Sequence, residues 1–483
     1  MTDILIECKN AEKIVIYGAG TIANILYLYL NSNNMSWKVE CFAVTVRGNN
    51  PKTKNGIKVH EIKNVSISEK GVLVLVAVQK ILHREIIHTL VQNGCSNFYC
   101  VDEKSLLDEI YNIFYREPVQ NNKILFSNMK GIGYGCNPKY IAQKLIELDY
   151  EKRLDMVWAV SDKKASFPKE IRTVAYGSMD YYHEMATARI WVDNVRKDSD
   201  IKKREGQYYI QTWHGAAPIK KVEKDVEDRL PNYYVANAMR DSKNVDLFLS
   251  GSVFYTNLYK RSFWYSGEIM QVGLPRQDIF FHLDNVIKEK VYRYYGIDKS
   301  YSMVLYAPTF RKNFSNEYYD LDIAGVVSAL ENKFCKRFVC AVSKHPENRS
   351  INYSFEHNEK YIAVDRYSDF QELLASADVL ITDYSGCMYD YSFTKRPVFL
   401  YQRDYDDYIR DRNFYIPMGQ LPYTRAYSNE EIIEKIKLFD MELYLEQLNQ
   451  FMGMLGIYDD GNASEKVAKH ILNVIEGSQK INN

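Results

Sequence analysis

Residues 378–390 have the sequence Asp378-Val379-Leu380-Ile381-Thr382-Asp383-Tyr384-Ser385-Gly386-Cys387-Met388-Tyr389-Asp390. The short apolar run Val379–Ile381, bounded by polar residues, predicts a buried strand of a parallel sheet. A polar turn and a helix-compatible segment follow, an order that directs backbone N–H groups and the positive end of a helix dipole at an anion. We therefore expect this turn to bind the diphosphate of a nucleotide-activated donor at the carboxyl ends of the strands. The alternative is an ordinary capped helix. The turn residues are Thr382, Asp383, Tyr384, Ser385 and Gly386.

The composition indicates an ordinary folded protein of about three domains. Lys and Arg number 62, as do Asp and Glu, which argues against a nucleic-acid partner held by bulk charge. The longest apolar run, Val72–Val78, is far shorter than a membrane span. The acidic start lacks the pattern of a signal peptide, and the eight cysteines include no Cys-x-x-Cys pair. These features predict a cytoplasmic protein with reduced cysteines and no structural zinc site.

Residues 1–118 are predicted to form an N-terminal Rossmann-like α/β domain. The strand Lys13–Tyr17 leads into a Gly18-Ala19-Gly20-Thr21-Ile22-Ala23 turn, which matches the G-x-G-x-x-A fingerprint of dinucleotide sites. Glu40, about 20 residues on, is the acid of that fingerprint, although it lies early in the next strand. The motif therefore predicts either a tight strand–helix turn without a ligand or a site for a sugar nucleotide or NAD, built around Gly18, Gly20 and Ala23.

Two further α/β runs follow a polar linker at Glu117–Asn122. Strand patterns alternate with helical patterns in both runs, which predicts largely parallel, doubly wound sheets. We place the second domain at residues 122–295 and the third, with C-terminal helices, at residues 296–483. In the second domain, Asn137 is a candidate helix cap, with Pro138 at the first helical position.

Several candidate functional residues follow predicted strands. His214, with Gly215 opening space beside it, is a candidate general base, and the alternative is a structural histidine. Arg311 could offer a forked donor to phosphate oxygens. Lys344 and His345 follow another strand, and the proline directly after them, Pro346, is expected to restrict the backbone of His345. Because these residues and the 382–386 turn all lie at strand carboxyl ends, we expect one inter-domain cleft to collect them.

A second group of residues is predicted to support this cleft. Pro275, Arg276 and Asp278 indicate a fixed turn in which the arginine and the acid pair, with a structural, interdomain role. Asp390, downstream of the 382–386 turn, belongs to the same group.

From about residue 122 to 475 the chain resembles the CDP-glycerol glycerophosphotransferase family of teichoic-acid and capsule synthesis. The resemblance implies a GT-B fold, in which two doubly wound, Rossmann-like domains face each other, with the N-terminal domain as an extra unit. The segments that carry it are Thr212-Trp213-His214-Gly215, Gly273-Leu274-Pro275-Arg276, Leu305-Tyr306-Ala307-Pro308-Thr309, Lys344-His345-Pro346, and Leu380-Ile381-Thr382-Asp383-Tyr384-Ser385 with Asp390-Tyr391.

The resemblance implies that His214 is the base on an acceptor hydroxyl and that His345 steadies the donor phosphates. It also implies that the turn Thr382–Ser385 lies on the donor side. Three departures concern the donor and acceptor: Ala216-Ala217-Pro218 in place of Thr-Pro after the first His-Gly, Gly386 in place of a second serine, and Gln277 in place of asparagine.

The predicted function is transfer of a polyol phosphate from CDP-glycerol or CDP-ribitol to an acceptor hydroxyl, with release of CMP. The acceptor is expected to be lipid-linked, an oligosaccharide or a polyol phosphate, and a lipid-linked one implies association with the inner membrane surface. No cofactor is required, and Mg²⁺ is not indicated because no compact carboxylate cluster is present. One alternative is a GT-B glycosyltransferase that uses a nucleotide sugar. Another is an NAD-linked oxidoreductase or nucleotide-binding regulator centred on Gly18 and Gly20.

Overall fold

The computed structural model contains 19 strands and 16 α-helices among its described residues. The described residues are 2–48, 50–149, 151–161, 165–198, 201–215, 220–283, 285–311, 316–344, 360–411 and 414–481. The chain forms two compact units. The first comprises Met1–Leu125, Thr173–Arg189 and Asp198–Gln207, and the second comprises Phe126–Arg172, Ile190–Lys197 and Tyr208–Asn483. None of the described helices is long and apolar enough to cross a membrane.

The first sheet has six strands in the order β3-β4-β2-β1-β5-β6. Its strands are β1 Lys13–Tyr17, β2 Val39–Val44, β3 Thr53–Lys54, β4 Ile57–Glu61, β5 Val72–Val76 and β6 Phe98–Cys100, and its helices are α1 Thr2–Asn10, α2 Thr21–Ser32, α3 His83–Gln92 and α4 Glu103–Phe114. All neighbouring pairs are parallel except β3 with β4. The hairpin of β3 and β4 was not predicted, because its Thr-Lys and Ile-Lys-Val-His-Glu segments carry little apolar signal. The five parallel strands follow the first five positions of the 3-2-1-4-5-6 strand order of a dinucleotide fold.

The second sheet has seven strands in the order β13-β12-β11-β10-β7-β8-β9. Its strands are β7 Gln120–Ser127, β8 Asp155–Val160, β9 Ile171–Ala175, β10 Ala188–Asp193, β11 Tyr208–Gln211, β12 Leu247–Ser250 and β13 Glu268–Gln271. The helices along this part of the chain are α5 Cys136–Leu148, α6 Met179–Thr187, α7 Asn232–Asn244, α8 Val253–Ser262 and α9 Asn285–Tyr295. The alternation of helices and strands predicted from the sequence is confirmed here.

The third sheet has six parallel strands in the order β16-β15-β14-β17-β18-β19. Its strands are β14 Tyr301–Ala307, β15 Arg337–Val342, β16 Tyr361–Ala363, β17 Val379–Thr382, β18 Val398–Tyr401 and β19 Thr424–Ala426. The helices are α10 Ile323–Phe334, α11 Phe370–Ser376, α12 Cys387–Ser392, α13 Tyr405–Asp411, α14 Asn429–Lys437, α15 Met441–Leu455 and α16 Ala463–Ile481. The prediction for Val379–Ile381 is confirmed: these residues lie in β17, beside the central strand β14, with at most 1% exposure.

The strand order reverses between β14 and β17. A crevice opens outside the carboxyl ends of the strands at such a switch point, because the following helices leave on opposite faces of the sheet. The 382–386 turn lies at this position. The fold is therefore α/β, with parallel sheets and Rossmann-like strand order.

Candidate functional site

His214 follows β11 and is held in one orientation. Its Nδ1 atom lies 2.7 Å from the carbonyl oxygen of Asn194. Because a carbonyl only accepts hydrogen bonds, Nδ1 carries the proton and Nε2 keeps a lone pair. The imidazole also stacks on the ring of Trp213, with centroids 4.6 Å apart and planes 28° apart. The arrangement presents Nε2 as a hydrogen-bond acceptor, which is what a general base requires.

The pKa of His214 is lowered from its ordinary value of 6.5. Burial is the largest cause; the hydrogen bond to Asn194 opposes it, and the positive charge of Arg276 lowers the pKa further. The imidazole is therefore neutral at physiological pH and able to accept a proton.

Asn137 and Arg276 hold the backbone of the His214 loop through hydrogen bonds. The Asn137 side chain, fully buried, donates to the Trp213 carbonyl at 3.0 Å and accepts from the Arg276 N–H at 3.0 Å. The Arg276 guanidinium donates to the His214 carbonyl at 2.9 Å and pairs with Asp390 at 2.5 Å. Asp390 belongs to α12, directly after the 382–386 turn. This chain of contacts couples the backbone that carries the candidate base to the element that follows the candidate donor turn.

The predicted pairing of Arg276 with Asp278 is not present. Arg276 pairs with Asp390 instead, and Asp278 accepts hydrogen bonds from the N–H groups of Ala463 and Ser464, at the start of α16. The turn is rigid, as expected, because Pro275 opens a buried 3₁₀ helix over Pro275–Phe280. Both side chains contact partners that are at least 62 residues away in the sequence, which adjacency in sequence could not indicate.

Three of the five residues that were predicted to bind the donor substrate, Thr382, Asp383 and Tyr384, make contacts within the protein instead. The Thr382 hydroxyl, fully buried, donates to the Ala307 carbonyl at 2.7 Å. Asp383 accepts from the N–H of Thr309 at 3.0 Å and from the N–H of Tyr384 at 2.6 Å. The Tyr384 ring is buried and stacks on Tyr408, with centroids 3.7 Å apart.

The remaining two turn residues, Ser385 and Gly386, are only partly buried. Gly386 immediately precedes α12, which is six residues long and has no side-chain cap. The carbonyl oxygens of Ser385 and Gly386 accept hydrogen bonds from the N–H groups of Met388 and Tyr389. Contact of their own N–H groups with phosphate stays a prediction.

The guanidinium N–H groups of Arg311 are not arranged to bind a phosphate, contrary to the prediction. Its guanidinium is buried and pairs with Asp383 at 2.8 Å and with Asp404 at 2.5 Å. It also lies over the rings of Tyr408 and Tyr384, 4.7 and 5.0 Å from their centroids. The arginine therefore holds the 382–386 turn rather than a ligand.

Lys344 is buried at the end of β15, where its backbone N–H donates to Asp365 at 2.5 Å. His345 lies outside the described residues, as do Ala216, Ala217 and Pro218. The expected approach of the two imidazoles therefore stays a prediction.

The three N-terminal motif residues have separate roles. Gly18 has φ +124°, and a Cβ there would lie 2.6 Å from the carbonyl oxygen of Ala77. Ala23 is fully buried in α2, whereas a Cβ at Gly20 would meet only open space. Glu40 lies near the amino end of β2 and pairs with Lys13 at 3.4 Å. Glu40 thus lies at the amino ends of the strands, opposite the turn, in agreement with its early position in the strand.

Sequence reasoning missed Asn137 and Asn194 as parts of the site. Asn137 was predicted as a helix cap, but Gly135 is the residue before α5 and the Asn137 amide joins two distant loops. The only feature of the sequence that could have indicated this role of Asn137 was its position directly before a proline. Within the described part of the chain, no group of three or more His, Cys, Asp or Glu side chains could hold a metal ion.

Comparison with known proteins identifies the family of this chain. A family model described as CDP-Glycerol:Poly(glycerophosphate) glycerophosphotransferase matches residues 109–473. The teichoic acid poly(glycerol phosphate) polymerase of Bacillus spizizenii is 28% identical over 388 residues, which are 76% of this chain and 98% of that protein. The teichoic acid glycerol-phosphate transferase of Staphylococcus aureus is 26% identical over 370 residues, or 72% of this chain and 92% of that one.

Among solved structures, that of the wall teichoic acid polymerase TagF is similar, with a TM-score of 0.69 and 24% identity. The match covers 83% of this chain and all of the TagF chain. A histidine-to-asparagine variant of TagF has also been solved after soaking with CDPG. The likeness establishes a shared fold. Because the family model matches well over half of its residues, this chain belongs to the CDP-glycerol:poly(glycerophosphate) glycerophosphotransferase family.

Proposed function

We propose that the protein transfers glycerol phosphate or ribitol phosphate from a CDP-polyol to an acceptor hydroxyl and releases CMP. Family membership supports the reaction class, and the relatives include both glycerol-phosphate and ribitol-phosphate polymerases. The observation that carries the residue assignment is the hydrogen bond from His214 Nδ1 to the Asn194 carbonyl, because it leaves Nε2 free to accept a proton. The transfer is part of the synthesis of a teichoic-acid-like or capsular polymer.

In the proposed reaction, the acceptor hydroxyl oxygen attacks the β-phosphorus of the CDP-polyol. A new phosphorus–oxygen bond forms, the bond between the β-phosphorus and the bridging oxygen breaks, and CMP leaves with that oxygen. The acceptor proton passes to Nε2 of His214. Phosphoryl transfer depends mainly on positioning and charge stabilisation, so the base needs a fixed orientation more than a high basicity.

Negative charge on the donor phosphates is proposed to be stabilised by Lys344, His345 and the backbone N–H groups near Ser385 and Gly386. Arg311 is reassigned as a positioning residue because its guanidinium is paired with Asp383 and Asp404. These groups supply the stabilisation without a metal ion.

The matched region is proposed to have the two facing domains of a GT-B enzyme, with residues 1–118 as an accessory domain. We also propose a lipid-linked, oligosaccharide or polyol-phosphate acceptor and association with the inner membrane surface through partners or a local basic face.

The test is nucleotide release from a panel of CDP-glycerol, CDP-ribitol, UDP-sugars and GDP-sugars, with CMP, UDP and GDP each measured. CMP release from a CDP-polyol is expected, with no release of UDP or GDP from the sugars, and His214→Ala is expected to lower the rate of CMP release by about 10²–10⁴-fold, the usual contribution of a general base. Circular dichroism and the melting temperature should stay close to those of the native protein.

His88→Ala is the matched control, because His88 is an exposed histidine of α3 in the first unit. It should retain full turnover. Full turnover in His214→Ala would remove the base assignment, and turnover of a nucleotide sugar in place of the CDP-polyols would contradict the proposed donor.

A further inference from the structure

The first unit contains a pocket of about 460 Å³ that the phosphotransferase reaction does not use. Its size is within the range of about 300–1,000 Å³ that is usual for small-molecule sites. Three parts of the first unit form most of it: the start and one face of α2, the end of β3 with the turn to β4, and the segment that opens α6. Asp198 and Ile201 complete the lining.

Hydrogen bonds between side chain and backbone hold these walls together. The Asn24 amide of α2 donates to the carbonyl of Gly177 at 2.9 Å, before α6. The Asn55 amide of the β3–β4 turn donates to the Asn24 side-chain oxygen at 3.1 Å. The pocket is therefore built by contacts between all three parts.

Positive charge lies on the α2 and β3 side of the lining, whereas Asp198 places a carboxyl group on another part of it. The N-terminus of α2 opens on the pocket at Gly20 and Thr21, with no side-chain cap and no acidic residue in its first turn. The other helix that starts here, α6, is different: the Ser178 hydroxyl accepts from the Tyr181 N–H, and Asp180 lies in its first turn. One helix end is thus neutralised by its own side chains and the other is not, so α2 retains its partial positive charge.

Lys54, the last residue of β3, adds a full positive charge to the lining. Its side chain is partly buried, and this burial lowers the pKa of its amine. No carboxylate in the described part of the chain offsets the effect of burial on this pKa. A bound anion would provide that offset.

Gly20 and the apolar part of the lining support the same interpretation. Gly20 has a negative φ of −84°, and a Cβ there would enter open space, so the protein's own packing does not require a glycine at this position. A side chain at this position would, however, occupy that space and obstruct the approach of a ligand to the α2 N–H groups. Leu28, Tyr182 and Ile201 complete the lining with apolar surface.

We propose that this pocket is a second binding site, which takes a small phosphate ester. The phosphate contacts the N–H groups at the start of α2, the Thr21 hydroxyl and the Lys54 ammonium, and the organic part contacts the apolar lining. The site lies within the first unit and needs no residue of the candidate transferase site.

The test is protection of Lys54 from amine acetylation in the full-length protein, measured by peptide mass spectrometry. The probes are CMP, glycerol 3-phosphate, inorganic phosphate and sulfate. CMP or glycerol 3-phosphate is expected to slow acetylation of Lys54 at least fivefold, at concentrations below those needed with inorganic phosphate. Lys58, an exposed lysine of β4, is the internal control and should react at an unchanged rate.

Variants give a second measurement that does not depend on labelling. Lys54→Met is expected to weaken binding of the better ester by about 10–100-fold, the value of a hydrogen bond to a charged group. Lys58→Met makes the same change in net charge and should leave the affinity unchanged. The proposal is overturned if no ester protects Lys54, if sulfate protects as well as the esters, or if both variants bind equally.

Discussion

Two strand–turn–helix segments of this chain suggested a phosphate site, one after β1 and one after β17, and different forces hold them. The turn after β17 is fixed by buried side chains: Asp383 receives hydrogen bonds from Thr309 and Tyr384 and an ion pair from Arg311. The turn after β1 is fixed by backbone, since the Gly18 N–H donates to the Ala43 carbonyl at 2.7 Å and Gly18 has no side chain to collide with Ala77.

The difference shows how polar residues in a turn should be interpreted. In the 382–386 turn, the most polar side chains form hydrogen bonds and an ion pair with other parts of the protein. The N–H groups of the partly buried Ser385 and Gly386 are the ones predicted to contact a ligand. In the Gly18–Gly20 turn there is almost no polar side chain, and the uncapped start of α2 opens on a pocket. Three predictions test this comparison.

The largest effect is expected from Arg311→Met. It leaves Asp383 and Asp404 buried without their cation, and loss of one partner of a buried ion pair costs about 3–5 kcal/mol of unfolding free energy. Urea denaturation measures this change. The control is Arg172→Met, because Arg172 makes an exposed pair with Asp155 and should cost less than about 1 kcal/mol. Equal losses in the two variants would mean that the Arg311 network does not hold its turn.

A smaller effect is expected when the glycines of the other turn are replaced. Gly18→Ala should lower the unfolding free energy by about 2 kcal/mol, because φ is +124° and the new Cβ meets the Ala77 carbonyl. Gly20→Ala should change it by less than about 0.5 kcal/mol, since the space beside it is open. Thermal or urea unfolding of both variants compares them directly. A costly Gly20→Ala would show that this glycine is structural and would weaken the case for a ligand.

The third prediction concerns Arg276, which links the His214 loop to α12. Arg276→Gln and Arg276→Lys should both lower kcat about tenfold with little change in KM, because the hydrogen bond that positions the base is disturbed. The pH profiles should differ. The charge of Arg276 lowers the pKa of His214, so its loss in Arg276→Gln raises that pKa.

The base must be neutral, and activity therefore falls as pH drops through the pKa of His214. The acid limb of kcat/KM should lie below 6.5 in the native enzyme and in Arg276→Lys, and should move to higher pH in Arg276→Gln. The double variant Arg276→Gln/Asp390→Asn removes the unpaired buried acid and should show the same shift. Identical pH profiles in all four proteins would exclude an electrostatic role for Arg276.

Much of the fold could be predicted because strands and helices are local patterns. The buried run in β17 and the alternation of strands and helices were both found in the sequence, and the structure contains them. The β3–β4 hairpin was missed because its strands are short and polar. The family could also be predicted, because its short motifs recur in order along the chain.

The candidate site was only partly predictable, for a physical reason. A side chain's chemistry is visible in sequence, but its partners are not: Asn137 contacts Trp213 and Arg276, and Arg276 contacts Asp390, 114 residues away. Arg311 was correctly placed after a strand, yet its guanidinium is taken by two carboxylates that no spacing rule connects to it.

The sequence by itself determined the α/β class, the strand ends that carry His214 and the 382–386 turn, and the family, because each depends on hydrophobic periodicity or on a short local motif. Only the tertiary structure decided which polar groups remain available to a ligand. That outcome depends on which distant donors and acceptors meet when the sheets and helices pack, and a buried group that finds a partner in the protein is no longer free for a substrate.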